Sequence, residues 1–506
     1  MTDEDGPPAL SAADAEQLGE QLFRNQVSPR TVTEGGHVGH LVRGSTGNGQ
    51  VDYSPRCPAC NPLLFDGASV QVTYIDEYVG SGFNTRMSSM FIVGELTGIG
   101  MLVAPWAVVK LGWLGFVMLA AFAVATAYSS TCLGTCWLIL EERAMENRHY
   151  PVRDPYSTIA FHSFGKIASI ISTTLINVTL FGAATVYLML TAEAAHRLFS
   201  SSHPEATFCT WLVVFSVSMS SLMFVENPKD SRIVALTALL TALTACYLVI
   251  MQILLDIRNQ EGNLPMLHDY EWNTDQFFLS YGTILFCYGG AVSFPVVQNE
   301  MFKVNRYSRS LITVFSMMAF IFGTIVVISY VAYDVKIEPN LFMSLGDSWC
   351  SIAAIGLMIA HLILGFIIIA NPLSQQLENL FNTPQESFSF QRFIVRMGML
   401  VAMIFLGQIV PNFNFLVSLI GSSTISFTTF VLPSLFYLKL CVMQHPNWPD
   451  RSLPWKARLY FYFVITIGLM GSILSIITAI CSLFNLHSYY APCFWSLMFP
   501  AKTFIK

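Results

Sequence analysis

"GELTGIGMLVAPWAVVKLGW", residues 94–113, lies inside a long apolar segment, yet it carries Glu95, the glycines Gly94, Gly98 and Gly100, and Pro105. A second stretch, "YGTILFCYGGAVSFPVVQNEM" at 281–301, repeats the theme with Gly289-Gly290 and Pro295. Lipid supplies no hydrogen-bond partners, so an interrupted helix survives at membrane depth only where it lines a cavity or is buried in protein. Two interrupted spans at corresponding places in two halves of a chain point to a transporter binding site.

The rest of the chain supports a membrane setting. Of its 506 residues 54% are hydrophobic and 11% charged, whereas soluble domains carry about 25% charged residues. The sequence therefore predicts an all-α polytopic membrane protein. Eleven segments are apolar over the ~20 residues that a crossing needs, at about 86–108, 112–140, 167–195, 207–226, 233–255, 277–299, 311–333, 350–376, 397–411, 413–438 and 459–484. The two Gly/Pro-bearing spans are the first and the sixth. Spans 1–5 and 6–10 then form two inverted repeats, about 86–255 and 277–438, with one extra helix at about 459–484.

Residues 1–83 are polar, Gly/Pro-rich and poor in aromatics, and such a composition cannot bury enough apolar surface to order itself. They read as a disordered cytoplasmic tail, with residues 84–506 as the transmembrane transporter domain. No apolar run follows a basic start, so no cleaved signal peptide is expected. The tail's "CPAC", Cys57 to Cys60, is a lone CxxC that lacks the four ligands of a zinc site. Neither metal nor cofactor is expected. The net charge of −6 argues against nucleic acid as a partner, and no nucleophile–base pair points to an enzyme.

Lysine and arginine set the orientation. With the N-terminus cytoplasmic, 20 of the 26 fall on the cytoplasmic side and 6 on the other. An odd number of spans then puts the C-terminus outside or in a lumen. The membrane of residence, plasma or endolysosomal/vesicular, stays open. The sequon Asn177-Val-Thr179 lies within the third span, beyond the reach of glycosylation.

A half-helix that starts after a break offers free N–H groups and the positive end of its dipole, which suit a carboxylate. Unwound carbonyls suit an ammonium. The expected site therefore joins N–H groups at Gly98, Ile99 and Gly100 to carbonyls at Phe286, Cys287 and Tyr288, with Gly289 and Gly290 opening the space. The matching ligand is a zwitterionic amino acid.

These motifs resemble the amino acid/auxin permease family of secondary transporters. Its first-span pattern, G-x-G-x-L-x-x-P-[YW]-A, reads here as Gly98, Gly100, Leu102, Pro105, Trp106 and Ala107, followed by Leu111-Gly112-Trp113. The sixth-span pattern reads as Phe286, Tyr288, Gly289, Gly290, Pro295, Val297, Gln298, Glu300 and Met301, and "NPLSQQLEN" (371–379) resembles a motif closing the eighth span. The chain departs from the family at Ala291, where many members carry His, and at Gly94-Glu95, where several carry Asn. The resemblance covers about 86–484. It implies a LeuT-type 5+5 inverted-repeat fold, with helices 1 and 6 broken, and amino acid transport driven by H+ or Na+.

Away from span ends, two ionisable side chains stand out: Glu95 in span 1 and His361 in span 8. Such groups are costly in a bilayer and usually face a cavity or a partner. Resemblance to the LeuT-type fold implies that spans 1 and 8 adjoin, which makes Glu95 and His361 the expected ion-coupling pair. Of the eleven cysteines, Cys209 opens span 4 and Cys350 opens span 8, both on the outer side, where disulfides persist. A Cys209–Cys350 bridge is expected, with Cys493 as a competing partner. The sequence thus reads as a proton-coupled symporter of neutral amino acids. The alternatives are a vesicular or lysosomal exchanger, and an amino acid sensor that keeps the fold but does not transport.

Overall fold

A computed structural model describes residues 83–143, 154–224, 228–259, 272–301, 303–384, 389–410, 412–444, 448, 451 and 453–484. Residues 1–82 of the expected N-terminal tail, its CxxC and Cys493 lie outside them. Among the described residues nine helices are long and apolar enough to cross a membrane, and two further apolar segments are shorter or interrupted. In chain order the segments are α1 Thr85–Val109, α2 Trp113–Arg143, α3 Lys166–Phe199, α4 Phe208–Ser220, α5 Pro228–Asn259 and α6 Thr274–Cys287. There follow α7 Tyr307–Tyr333, α8 Trp349–Leu380, α9 Phe390–Ile409, α10 Phe413–Val442 and α11 Trp455–Phe484. The short helix Pro155–Phe164 sits in what the sequence presents only as a polar loop.

The packing repeats itself after five helices. Helix α1 packs on α5 as α6 packs on α10; α8 packs on α5 as α3 packs on α10; α1 packs on α7 as α6 packs on α2. Exchanging labels that differ by five (1 with 6, 2 with 7, 3 with 8, 5 with 10) turns one contact into the other. If each of the five segments crosses once, the second set of helices runs upside down relative to the first, as an inverted repeat requires. Within the second half, α6 and α10 meet backbone to backbone: a Cβ at Gly282 or at Gly421 would collide with main-chain atoms of the other helix.

The most apolar window of α1 is 94% buried, against 28% for α11. Helix α1 is thus the bundle's axis and α11 its edge. The first span differs from the expectation here: α1 runs unbroken from Thr85 to Val109 with Pro105 inside it. Two physical reasons are visible. Gly98 and Gly100 let the rings of His361 and Phe322 close onto the helix, since a Cβ at either position would collide with them. Between Gly100 and Pro105 the chain reads Met-Leu-Val-Ala, which has no oxygen or nitrogen in its side chains to satisfy main-chain groups freed by unwinding. The sixth segment does stop. Helix α6 ends at Cys287, a 3₁₀ turn covers Gly289–Val292, and helix resumes at Phe294–Asn299 with Pro295 in its first turn. Helix α10 is widened instead, with π-helical turns at Gly421–Ile425 and Phe427–Val431, the kind of irregularity often found at functional sites.

Both ends of the bundle are stitched. At one end the α7–α8 loop caps the helices. Asp256 of α5 accepts from Tyr333 Oη at 2.6 Å, Gln252 Nε2 at 2.7 Å and the Gly346 N–H at 3.0 Å. Arg197 of α3 pairs with Asp347 at 2.5 Å, and Asn340 donates to Glu193 at 2.9 Å. The α1–α2 turn lies near the same loop: burial lowers the pKa of Lys110, and the charges of Glu338 and Asp334 partly offset this. At the opposite end Glu378 of α8 holds Arg392 at 3.1 Å and Arg396 at 2.6 Å, and the Phe83 N–H donates to the Glu300 carbonyl at 2.7 Å.

The expected Cys209–Cys350 bridge is not formed. Cys350 is a free, buried thiol, whereas Cys209 is disulfide-bonded. Cys350 lies in the first turn of α8 at 5% exposure, packed inside the bundle rather than on the surface where α4 begins.

Candidate functional site

The break in α6 faces a cavity of ≈ 80 Å³ in the middle of the bundle. By the same measure one buried water needs roughly 10–15 Å³, so the space holds a small solute. Helix α1 contributes Glu95, Leu96, Ile99 and Gly100; α6 and its turn contribute Phe286, Cys287, Gly289, Gly290, Val292 and Ser293. Helix α3 adds Thr179, Leu180, Ala183 and Tyr187, α8 adds Ile369, and the π-widened part of α10 adds Ile425. Among the described residues the lining holds one carboxylate and no basic side chain and is otherwise mostly apolar.

A smaller cavity of ≈ 20 Å³ adjoins it, lined by Glu95, Gly94, Tyr187, Ala235, Ala238, His361 and Ile369 among others. Glu95, Tyr187 and Ile369 belong to both. The carboxylate of α1 therefore stands between a solute-sized space and a water-sized one. His361 is 1% exposed. Its Nδ1 lies 2.8 Å from the Ala238 carbonyl. A carbonyl only accepts, so Nδ1 carries a proton, and in the neutral ring Nε2 is left as a bare acceptor. Nε2 has no hydrogen-bond partner among the described residues and lies against Gly98.

Among the described residues Glu95 has one close polar partner: Ser293 Oγ donates to its Oε2 at 2.7 Å. The same hydroxyl lies 2.9 Å from the Gly290 carbonyl, in the turn that interrupts α6.

Of the ten residues expected at the site, Glu95, Ile99, Gly100, Phe286, Cys287, Gly289 and Gly290 line the larger cavity. His361 lines the smaller one. Gly98 instead faces His361. Tyr288 turns away: its hydroxyl donates to the Leu119 carbonyl at 3.2 Å and its ring lies by Phe315 and Phe322. Because α1 is continuous, the N–H groups of Gly98, Ile99 and Gly100 lie in the interior of a helix rather than at the start of one. Sequence reasoning missed Tyr187, Thr179, Ile369, Ile425 and Ser293. A signal for Ser293 was present, as the one hydroxyl between Gly290 and Pro295.

Residues 81–481 match the family described as transmembrane amino acid transporter protein. Similar proteins include the amino acid transporter AVT1J of Arabidopsis thaliana, 22% identical over 389 residues, with 75% of this chain and 88% of that protein covered. The amino acid transporter AVT1H of the same plant is 25% identical over 365 residues, covering 69% and 80%. The vesicular inhibitory amino acid transporter of Xenopus tropicalis is 21% identical over 406 residues, covering 76% and 74%. Among solved structures, the manganese transporter of Eremococcus coleocola superposes with a TM-score of 0.53 at 10% identity, over 85% of this chain and 95% of that one. At that identity the likeness speaks for the fold alone.

Proposed function

The chain belongs to the transmembrane amino acid transporter protein family, and from that premise we propose that it is a secondary active transporter of neutral amino acids, coupled to protons, that works by alternating access around α1 and α6. The observation that carries the reading is the place of Glu95, the shared wall of a solute-sized cavity and a water-sized one. An ionised Glu95 opposes the carboxylate of a substrate next to it, and a protonated one does not. Substrate binding and proton binding then favour each other, and by linkage the effect is reciprocal. A cavity with no basic lining residue disfavours acidic amino acids. His361 Nε2, a bare acceptor on a residue that lines the same small cavity as Glu95, is suited to receive or relay the proton.

The 20:6 distribution of Lys and Arg supports a cytoplasmic N-terminus. The α7–α8 loop is then on the outer or luminal side, and the Glu378–Arg396 cluster is cytoplasmic. A second reading has its own support. The Xenopus relative bears the name of a vesicular transporter, and an exchanger in a vesicular or lysosomal membrane would use the same site.

The test is uptake by reconstituted protein of a panel of neutral, acidic and basic L-amino acids, with and without an imposed pH gradient and with and without sodium. Neutral substrates should accumulate when the outside is acidified, and uptake should fall as pH rises through the Glu95 titration. Glu95→Gln, which mimics the protonated carboxyl, should still exchange substrate but lose the pH dependence and uphill accumulation. Strict sodium dependence with no pH effect would sink the proton reading. Binding without flux would turn the reading to a sensor.

A further inference from the structure

We infer that Ser293 is a positioning residue that reports the charge of Glu95 to the interrupted turn of α6, and so ties proton binding on α1 to the shape of the substrate cavity. The inference rests on the proton-coupled reading of Glu95. Its physical basis is a count of hydrogens. A serine hydroxyl has one proton to give and two lone pairs to receive. Ser293 Oγ faces two acceptors, Glu95 Oε2 at 2.7 Å and the Gly290 carbonyl at 2.9 Å. It cannot serve both fully.

When Glu95 is ionised, both of its oxygens only accept. The bond to a charged acceptor is roughly twice as strong as one to a neutral carbonyl, so the Ser293 proton turns to Glu95. Among the described residues the Gly290 carbonyl then keeps the Ser293 N–H alone, at 3.1 Å. When Glu95 is protonated, its O–H donates to Ser293 Oγ, and the Ser293 proton turns to Gly290. One proton added on α1 thus becomes one hydrogen bond added at the turn of α6. Gly290 lines the substrate cavity together with Gly289, and a Cβ at Gly290 would come within 2.9 Å of Leu96 Cδ2 on α1. A small change in the turn therefore alters the gap between the two helices.

The surroundings leave this path well defined. The titratable side chains that line the two cavities beside Glu95 are Tyr187 of α3, Cys287 of α6 and His361 of α8. Helix α5 contributes Ala235 and Ala238 to the smaller cavity, and α10 contributes Ile425 to the larger. Cys287 Sγ is engaged with the Thr283 carbonyl at 3.3 Å, and the His361 ring with Ala238. Among the described residues Ser293 alone joins the carboxyl to the break through a pair of hydrogen bonds.

The experiment uses the full chain in proteoliposomes, with the best-transported member of a panel of alanine, serine, leucine and phenylalanine as probe. The KM is measured across pH for wild type, Ser293→Ala, Ser293→Thr and Glu95→Gln. Ser293→Ala should reduce the ratio of KM at high pH to KM at low pH at least threefold, and Ser293→Thr, which keeps the hydroxyl, should restore it. Infrared difference spectra between acid and alkaline pH give a second readout that does not need transport. The carboxyl band that disappears in Glu95→Gln should shift in Ser293→Ala and return toward its wild-type position in Ser293→Thr. An unchanged pH profile and an unmoved carboxyl band in Ser293→Ala would overturn the inference. So would a Ser293→Thr variant as flat as Ser293→Ala, because the effect would then be packing and not the hydroxyl. If the wild type shows no pH dependence, or Glu95→Gln keeps it, the failure lies with Glu95 and the inference falls with it. If Glu95→Gln loses pH dependence while Ser293→Ala keeps it, Ser293 alone is wrong.

Discussion

Helix α1 and the sixth segment, α6 with the turn and short helix that follow it, hold matching places in the two halves of the chain, and each puts a proline five residues after a glycine: Gly100 and Pro105 in the first, Gly290 and Pro295 in the sixth. One stays a continuous helix and the other is interrupted. The difference lies in what surrounds the glycines. Three residues after its glycine α6 has Ser293, whose hydroxyl and N–H both reach the Gly290 carbonyl. At the same offset α1 has Val103, fully buried and unable to hydrogen-bond through its side chain. Glycine and proline make unwinding cheaper, but inside a membrane protein the freed polar groups must also find partners. Where none is at hand, the glycines serve close packing instead.

The largest effect expected from this contrast is at Gly98. A valine there drives its Cβ into the His361 ring, which is held in place by Ala238. Overpacking of this kind costs about 1–3 kcal/mol, and both thermal stability in detergent and uptake should fall sharply. Gly290→Val should harm uptake more than stability, because the nearest atoms, Phe294 Cε1 at 2.8 Å and Leu96 Cδ2 at 2.9 Å, are ends of side chains. Pairing Gly98→Val with His361→Ala should recover part of the lost melting temperature. If Gly98→Val melts like wild type, the packing account of α1 is wrong.

The same contrast marks how far sequence carries. The apolar segments were legible because a crossing needs some twenty apolar residues, and among the described residues nine helices are long and apolar enough to cross, against the eleven expected. The limits came close: 86–108 became Thr85–Val109, and 459–484 became Trp455–Phe484. Glu95 and His361 were legible because ionised groups are rare at membrane depth. The state of α1 was not legible. Gly98 and Gly100 look the same whether they open a helix or admit the neighbouring rings of His361 and Phe322, which lie 263 and 222 residues further along the chain. The π-turns of α10 and the lining residues Tyr187 and Ile369 escaped for a related reason. Which face of a buried helix meets a cavity is decided by the neighbours on all sides. The disulfide pairing failed because a position at a span's start says on which side a cysteine lies, not what it faces.

A middle-sized effect is expected from Pro105→Ala. The substitution returns an N–H to α1 and can donate to the Met101 carbonyl four residues back, as a regular helix requires. Proline inside a helix is about 3 kcal/mol less favourable than alanine, though part of that cost is already relaxed in a chain shaped around it. The melting temperature should rise. If transport requires α1 to open between Gly100 and Pro105, the variant favours the closed helix, and each ~1.4 kcal/mol of that preference lowers the open population tenfold. Uptake should then drop by about tenfold while folding improves. A variant both more stable and equally fast would show that α1 stays whole through the cycle, and that α6 alone does the opening.

The smallest and most local effect comes from giving α1 the device that α6 has. Val103→Thr is nearly isosteric and places a hydroxyl three residues after Gly100, at the offset of Ser293 from Gly290. The site is fully buried, so the hydroxyl must bond within the helix, to the carbonyl of Gly100 or Ile99, as threonines in helices often do. In the continuous helix this adds a third centre to a bond already made and slightly weakens it. In an unwound segment it supplies the partner that the freed carbonyl otherwise lacks. A typical intramolecular hydrogen bond contributes about 1 kcal/mol, so opening should become roughly fivefold more frequent. Hydrogen exchange followed by mass spectrometry on peptides spanning 96–109 should show that acceleration, with peptides from α8 and α10 unchanged. The reverse substitution, Ser293→Val, should slow exchange around Gly289–Val292 by a similar factor if the turn can close into helix. Should Val103→Thr leave exchange at wild-type rates, then missing partners are not what keeps α1 whole, and the packing of His361 and Phe322 on its glycines must do so alone.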